Sequence, residues 1–178
     1  MTWTLRLLFA LPAIAVSVPA RGDGEHALSA AGGWAAVTAR GKRIGKMEPP
    51  AVTSYAGATL AGEYERSISS DFSLRGELAG GIFGGDGTSY VGLADAGVVY
   101  RFDVLKYVPY AFLGIGGIIS GGGSIDRDTT FVVALGGGLD VLTSRERSWG
   151  VEARLASFAS DVTVFTLGLR GTIRWGYL

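Results

Sequence analysis

The chain alternates apolar and polar side chains, with a period of two residues, over most of its length. The pattern is clearest from Val162 to Leu178. Phe165, Leu167, Leu169, Ile173, Trp175 and Tyr177 fall on one parity, while Thr166, Arg170, Thr172 and Arg174 fall on the other. Because successive side chains of a β-strand point to opposite faces, this period predicts a strand with one apolar face.

Eight alternating segments can be drawn, separated by turn signals. They run from His26 to Arg40, Ala51 to Arg66, Phe72 to Phe83, Thr88 to Asp103, Tyr107 to Ser120, Thr129 to Leu142, Trp149 to Phe158 and Val162 to Leu178. An even number of strands returns both chain ends to the same side, as in single-chain bacterial barrels. The 29 glycines recur inside these segments, where they permit the sharp bends of a narrow closed barrel.

The N-terminal segment resembles a secretory signal peptide. Arg6 provides a positive charge, Leu7 to Val18 form an apolar stretch, and Val18-Pro19-Ala20 offers small residues to a signal peptidase. Twelve apolar residues are too few to span a bilayer as a helix. We therefore expect residues 1–20 to be removed, leaving one domain over residues 21–178; an uncleaved membrane anchor is the alternative.

Composition limits the function further. The chain has no cysteine, so neither a disulfide nor a thiolate metal site can stabilise it. Sixteen basic and sixteen acidic residues give no net charge, and no basic surplus suggests a nucleic-acid partner.

One parity of several segments carries no charge, which favours lipid as the medium that meets this face. A soluble β-sandwich would place scattered Lys and Glu there, and a soluble lipocalin-type barrel would turn its apolar parity inward; both remain alternatives. The sequence predicts an all-β protein, an eight-stranded antiparallel transmembrane β-barrel.

Three stretches resemble strands of known proteins. Tyr107-Val108-Pro109-Tyr110-Ala111-Phe112-Leu113-Gly114-Ile115-Gly116-Gly117 resembles a "P-Y-x-x-x-G-x-G" strand of small outer-membrane β-barrels of the OmpA/OmpX-like superfamily. Gly97 to Asp103 and Gly168 to Trp175 resemble the strand before it and the terminal strand. The resemblance implies an outer-membrane location and recognition by the barrel-assembly machinery. The family usually ends on Phe or Trp, whereas this chain ends on Tyr177-Leu178.

The other parity is predicted to face the barrel interior with charges of both signs. These are Glu63, Glu65, Arg75, Glu77, Asp95, Arg101, Asp140, Glu152, Arg154, Arg170 and Arg174. A turn at Ser67 to Asp71 is predicted to set Glu63 directly across from Arg75, and the last hairpin to bring Glu152 diagonally close to Arg170. Eight strands leave an interior only wide enough for side chains, which favours a salt-bridged plug over an ion filter.

Two regions allow alternative interpretations. Both parities are apolar between Val108 and Ile119, so the lipid-facing side of Tyr107 to Ser120 is undecided. Glycine-assisted packing inside the barrel and an apolar path for small hydrophobic molecules are both compatible with it. The loop from Arg40 to Pro50 carries Arg40, Lys42, Arg43 and Lys46 against Glu48, and it is either a contact for lipopolysaccharide phosphates or an ordinary solvated loop.

The remaining motifs point to membrane interfaces rather than to chemistry. Interfacial aromatics are predicted at Trp34, Tyr90, Tyr100, Phe102, Trp149, Trp175 and Tyr177. The single histidine, His26, has no Ser/Asp arrangement that the spacing would support, and neither a phosphate loop nor a metal-ligand pattern is present. We therefore predict no enzyme, cofactor or metal.

The sequence thus predicts an integral, non-enzymatic protein of the outer membrane of a Gram-negative bacterium, with a structural or envelope-associated role. Its expected partners are outer-membrane lipid and lipopolysaccharide, and its oligomeric state is undetermined. A narrow channel or binding barrel for small hydrophobic molecules is the first alternative. A lipid-modifying enzyme of this membrane is the second.

Overall fold

The computed structural model describes residues 24–39, 53–85, 87–102, 106–123, 125–158 and 162–176. Within them the chain forms eight strands: β1 His26–Ala39, β2 Thr53–Ser67, β3 Phe72–Phe83, β4 Ser89–Arg101, β5 Tyr107–Gly122, β6 Ile125–Leu142, β7 Arg147–Phe158 and β8 Val162–Trp175. In this part of the chain no helix is long and apolar enough to cross a membrane. The predicted signal peptide and the basic residues of the loop after β1 lie outside these ranges.

The strands form a closed antiparallel barrel. Each strand pairs with the next along the chain, and β8 pairs with β1 from His26 opposite Trp175 to Ala39 opposite Val162. The predicted fold class, an eight-stranded antiparallel β-barrel, is confirmed. We call the rim with the start of β1 and the end of β8 the terminal end, and the opposite rim the distal end.

The strand boundaries agree with the sequence prediction to within three residues, except between β5 and β6. The polar stretch 121–128 was expected to be a loop, but β5 continues to Gly122 and β6 begins at Ile125. Gly122 and Gly123 have φ angles of 87° and 55°, which glycine adopts without steric cost. This conformation permits a tight reversal, and pairing continues up to Gly122 opposite Ile125, with a register shift after Ser120.

The barrel has an apolar outer wall. Large apolar side chains face outward on all eight strands; Leu60 is 70% exposed and Leu169 66%, whereas the carboxylate of Glu63 points inward at 1% exposure. A protein that dissolves in water hides its large apolar residues and exposes its charges. The reversed arrangement contradicts both soluble alternatives, because each needs a polar outer face.

Strand β5, whose two faces the sequence left undecided, has a definite orientation. Leu113, Ile115 and Ile119 point outward, whereas Phe112 and Ile118 are buried inside the barrel. The apolar character of both parities therefore comes from an apolar outer wall and apolar packing inside.

Candidate functional site: the barrel lumen

The lumen is divided into two layers of different chemistry. Buried charged residues occupy the half nearer the terminal end, here called the charged half: Glu63, Glu65, Arg75, Glu77, Asp95, Asp140, Glu152, Arg154, Arg170 and Arg174. Buried apolar residues fill most of the half nearer the distal end, here called the apolar half: Ala35, Val37, Ala39, Phe83, Val91, Ile118, Ile125, Val132, Ala134, Ala156, Val162 and Val164. The charged half contains every inward charge that the sequence predicted except Arg101, which is half-buried at the terminal end.

Arg75 of β3 joins opposite walls of the barrel. Its Nη2 lies 2.6 Å from Glu65 Oε1 on the neighbouring strand, and its Nη1 lies 3.0 Å from Glu152 Oε2 on β7. Its Nε is 3.4 Å from Glu63 Oε2. One guanidinium therefore serves three carboxylates and ties β2, β3 and β7 together across the lumen.

Arg170 of β8 repeats this arrangement from another wall of the barrel. Its Nε lies 2.9 Å from Glu63 Oε2, its Nη2 lies 3.1 Å from Glu65 Oε1, and its Nη1 lies 3.1 Å from Asp140 Oδ2. Glu152 Oε2 is 4.0 Å from Arg170 Nε. Glu152 pairs with Gly168 in the β7–β8 ladder, so Arg170, two residues further along β8, is its diagonal neighbour. Arg75 and Arg170 thus share their acids rather than forming separate pairs.

The other arginines extend the network in both directions. Towards the middle of the barrel, Arg154 is paired with Glu77 and Asp95. At the terminal end, Arg174 Nη2 lies 3.0 Å from Asp140 Oδ2, and the half-buried Arg101 is paired with Glu65. The rim residue Glu25 lies 3.2 Å from Arg174 Nε and 3.8 Å from Arg101 Nη1, at the mouth of the lumen.

Two aromatic residues of β5, whose orientation the sequence left undecided, lie among these arginines. The Tyr110 ring has the guanidinium carbons of Arg75 and Arg170 each 5.0 Å from its centroid, and its hydroxyl donates to Glu152 Oε2. The Phe112 ring has Arg75 at 5.4 Å and Arg154 at 4.7 Å, distances at which a cation is attracted to a ring face. Tyr110 and Phe112 are two residues apart and therefore on one parity, which is the sequence signal that could have placed both in the interior.

The predicted register between β2 and β3 is wrong. Glu63 stands opposite Glu77, and Glu65 is the residue opposite Arg75. The register is displaced by two residues from the prediction, because the turn lies one residue further along the chain: the last pair is Ser67 opposite Ser73, which leaves residues 68–72 between these two. Two like charges, Glu63 and Glu77, therefore face each other, which destabilises a cross-strand pair unless other charges compensate.

The expectation of a charged interior holds for only half of the lumen. Phe83 and Ile118 are among the largest fully buried side chains in the described part of the chain, and both lie in the apolar half. Their strands carry apolar residues on both parities near the distal end, so alternation disappears there. The distal closure is made by packing rather than by ion pairs.

A small cavity separates the two layers. It has a volume of about 50 Å³ and is lined by residues of β1, β2, β3, β4, β7 and β8. The space exists because four neighbouring strands present small inward residues at one level. Gly33 of β1 pairs with Gly168 of β8 and with Thr59 of β2, and Thr59 pairs with Gly81 of β3. Glu77, Glu152 and Arg154 line its charged side.

The predicted aromatic residues lie on the outer wall in two groups. Near the terminal end, the Tyr100 ring is 5.0 Å from Phe72 and 4.8 Å from Phe102, and Trp149 and Trp175 are exposed at the same rim. Trp34 and Tyr90 lie further towards the distal end. Tyr177 lies outside the described residues.

His26 is also on the outer wall, away from the charged half. Its ring is stacked between Tyr64 and Trp175, at 6.0 and 5.9 Å, and its Nδ1 is 2.8 Å from the Tyr64 hydroxyl. Its neighbours are therefore aromatic rings, and no Ser or Asp is brought to it by any contact of the described residues.

Comparison with known proteins identifies the architecture. No protein-family model matches the chain, and no curated protein matches it in sequence. Solved structures do. Ail, the attachment invasion locus protein of Yersinia pestis, superposes with a TM-score of 0.58 at 21% identity, covering 85% of this chain and 99% of Ail.

Two further solved structures agree. Neisserial surface protein A has a TM-score of 0.63 at 13% identity, covering 86% of this chain and 97% of its own. The outer membrane protein OprG from Pseudomonas aeruginosa has a TM-score of 0.60 at 10% identity, covering 88% and 99%. At these identities the likeness concerns the fold. The chain has the fold of the small eight-stranded outer-membrane β-barrels.

Proposed function

We propose that this chain is an integral protein of the outer membrane of a Gram-negative bacterium and that it serves there as a closed, non-enzymatic structural element of the envelope. The observation that carries the proposal is the combination of an apolar outer wall and a filled lumen. A wall of exposed Leu, Ile, Phe and Trp fits hydrocarbon. A lumen blocked by two successive layers leaves little room for solute.

The charged half supports the closed state by its geometry. Arg75 and Arg170 reach carboxylates on several walls, so their side chains lie across the lumen instead of along it. A solute would have to break several desolvated ion pairs, each of which costs several kcal/mol to separate in a low-dielectric surrounding. The apolar half adds a second barrier, because none of the buried charged side chains of the described residues lies there.

The proposal includes the route to the membrane and its surroundings. Residues 1–20 would direct export, and the barrel-assembly machinery would insert the mature chain. Lipopolysaccharide would surround the barrel, with the basic cluster after β1 as its contact. These steps rest on the sequence patterns described above.

Membrane insertion and closure can be tested together on the purified mature barrel. We expect it to insert into phosphatidylcholine liposomes and to migrate differently in electrophoresis before and after boiling in detergent, because a folded barrel resists unfolding by detergent alone. A chain that stays monomeric and dissolved in buffer without detergent would contradict the membrane assignment.

Closure is tested by ion flux through the same liposomes. We expect the unmodified barrel to leak little and the double variant Arg154→Ala/Phe83→Ala, which truncates one residue of each layer, to leak much more. Leu167→Ala on the outer wall is the control and should leave the flux unchanged. Equal flux through the unmodified barrel and the double variant would overturn the closed scaffold.

A second candidate function is binding of small hydrophobic molecules. The cavity between the two lumen layers favours it, because the apolar side chains of Phe83, Val91 and Val164 line it. We expect a fluorescent apolar probe to bind the unmodified barrel and to be displaced by Val91→Phe, which fills this cavity. Probe fluorescence that is the same with Val91→Phe and with the outward change Leu60→Phe would exclude it.

A further inference from the structure

The charged half contains more acid than base. Among the described residues, six acidic side chains are buried in the barrel and four arginines accompany them. The half-buried residues at the mouth, Arg101 and Glu25, add one charge of each sign. With all of these groups ionised, the lumen carries an excess of two negative charges, and uncompensated buried charge is strongly destabilising.

Three of the buried acids, from three different strands, lie close together. Glu63 of β2, Glu77 of β3 and Glu152 of β7 are all buried, and each offers a carboxylate oxygen within 4.8 Å of the others. The arginines that reach them are shared with other acids: Arg75 with Glu65, Arg154 with Asp95, and Arg170 with Asp140. We call Glu63, Glu77 and Glu152 the carboxylate cluster.

A second, independent observation points to a missing partner of this cluster. Glu63 is 1% exposed, and both of its arginine contacts are made through Oε2. Its Oε1 is buried and has no hydrogen-bond partner within the described part of the chain. A buried carboxylate oxygen without a partner is destabilising, because its desolvation is not repaid by a new contact.

The space for a ligand lies beside the cluster. Glu77 and Glu152 line the cavity of about 50 Å³ between the two lumen layers. A buried water needs roughly 10–15 Å³ measured in this way, so the cavity has room for a few water molecules next to the carboxylates. A cation there could take its remaining oxygen ligands from water.

We propose that the carboxylate cluster binds one divalent cation with a preference for oxygen ligands, and that Ca²⁺ is the ion that fits best. Two positive charges match the excess of two negative charges. Carboxylates and water are ligands of hard cations, and Ca²⁺ accepts irregular sets of six to eight oxygens, whereas Mg²⁺ demands a near-ideal octahedron. The ion would join β2, β3 and β7 at the level where Glu63 and Glu77 oppose each other.

The test uses the full mature barrel folded in zwitterionic detergent and radioactive Ca²⁺ in equilibrium dialysis, with protein-free micelles as the blank. We expect saturable binding of roughly one ion per barrel and a higher urea midpoint in CaCl₂ than in EDTA. Glu77→Gln and Glu63→Gln should each weaken the affinity at least about tenfold, since even indirect partners of a metal have effects of that size.

Glu25→Gln is the matched control, because it makes the same substitution at the mouth of the same lumen, outside the carboxylate cluster. Its affinity for Ca²⁺ should be unchanged. Absence of saturable binding, or equal weakening by Glu25→Gln and Glu77→Gln, would overturn the site. A urea midpoint that responds to pH but not to CaCl₂ would also overturn it, because protons would then neutralise the excess.

The cation site rests on the proposed function in one respect, the low dielectric constant that a membrane gives to the surroundings of the barrel. The calcium test and the test of membrane insertion nevertheless have separate readouts. Liposome insertion and the electrophoretic shift report on the membrane assignment without calcium. A barrel that inserts but binds no Ca²⁺ would refute the cation site alone.

Discussion

The charged half and the apolar half of the lumen both close the same barrel, but different forces hold them. In the charged half, residues far apart in sequence meet through directional contacts, such as Arg170 with Glu63 and Arg75 with Glu152. In the apolar half, Val37, Phe83 and Ile118 need only matching volumes. Ion pairs therefore specify which strands face each other, whereas apolar packing fills whatever space the strands leave.

This difference predicts different responses to mutation. Removing one member of a buried ion network leaves its partners charged and desolvated, so the damage exceeds the lost contact. Removing atoms from an apolar layer costs transfer free energy plus the cavity that remains. In the charged half, the effects of two substitutions on the free energy of unfolding should also depend on each other. In the apolar half, the effect of a substitution should depend mainly on the volume that it removes.

The largest effect is expected for Arg75→Ala. It leaves Glu63, Glu65 and Glu152 with less positive charge in an interior that already has an acid excess, and it should lower the free energy of unfolding by about 3–5 kcal/mol. The urea midpoint of the barrel in detergent micelles measures this loss. Arg127→Ala, on an exposed residue at the distal end, is the control. Equal midpoints for the two variants would disprove the interior network.

A somewhat smaller effect is expected in the apolar half for Ile118→Ala. This side chain is fully buried, so its truncation should cost about 2–5 kcal/mol through lost burial and a new cavity. Ile119→Ala is a matched control on the same strand, since Ile119 is 44% exposed on the outer wall. Both are measured by urea unfolding in micelles. A greater loss for Ile119→Ala would reverse the orientation assigned to β5.

The smallest effect concerns coupling. A double-mutant cycle of Asp140→Ala and Arg174→Ala, whose side chains lie 3.0 Å apart, should give an interaction energy of about 0.5–3 kcal/mol in the free energy of unfolding. The cycle of Arg174→Ala with Val37→Ala, which crosses from one half to the other, should be additive to within about 0.5 kcal/mol. Additivity in both cycles would mean that the charged half is a set of independent contacts.

The fold was largely predictable because its signal is local. Phe72, Leu74 and Leu78 lie on one parity of β3 and face outward, while Arg75 and Glu77 lie on the other and face inward. The start of β6 was not predictable from composition, since Asp126 to Asp128 form an exposed, polar part of a strand that composition alone assigns to a loop. Turn geometry at Gly122 and Gly123 decides that boundary.

The candidate site was predictable residue by residue but not as an arrangement. The inward charges were identified, yet Glu63 was paired with Arg75 in a register displaced by two residues. The carboxylate cluster was not foreseen because its members lie on β2, β3 and β7, and a sequence motif for metal binding normally depends on spacing within one segment. Tyr110 and Phe112 were likewise noticed only as part of a resemblance.

The sequence by itself determined the number of strands and which side chains of most strands point inward. Both follow from a period of two, a property of the single extended chain. The tertiary structure alone decided which charges meet, because a slip of two residues leaves every side chain on its own face while changing all of its partners. Closure of the barrel likewise gathered the charged side chains into one layer and the apolar side chains into the other, since each layer is assembled from several strands distant in sequence.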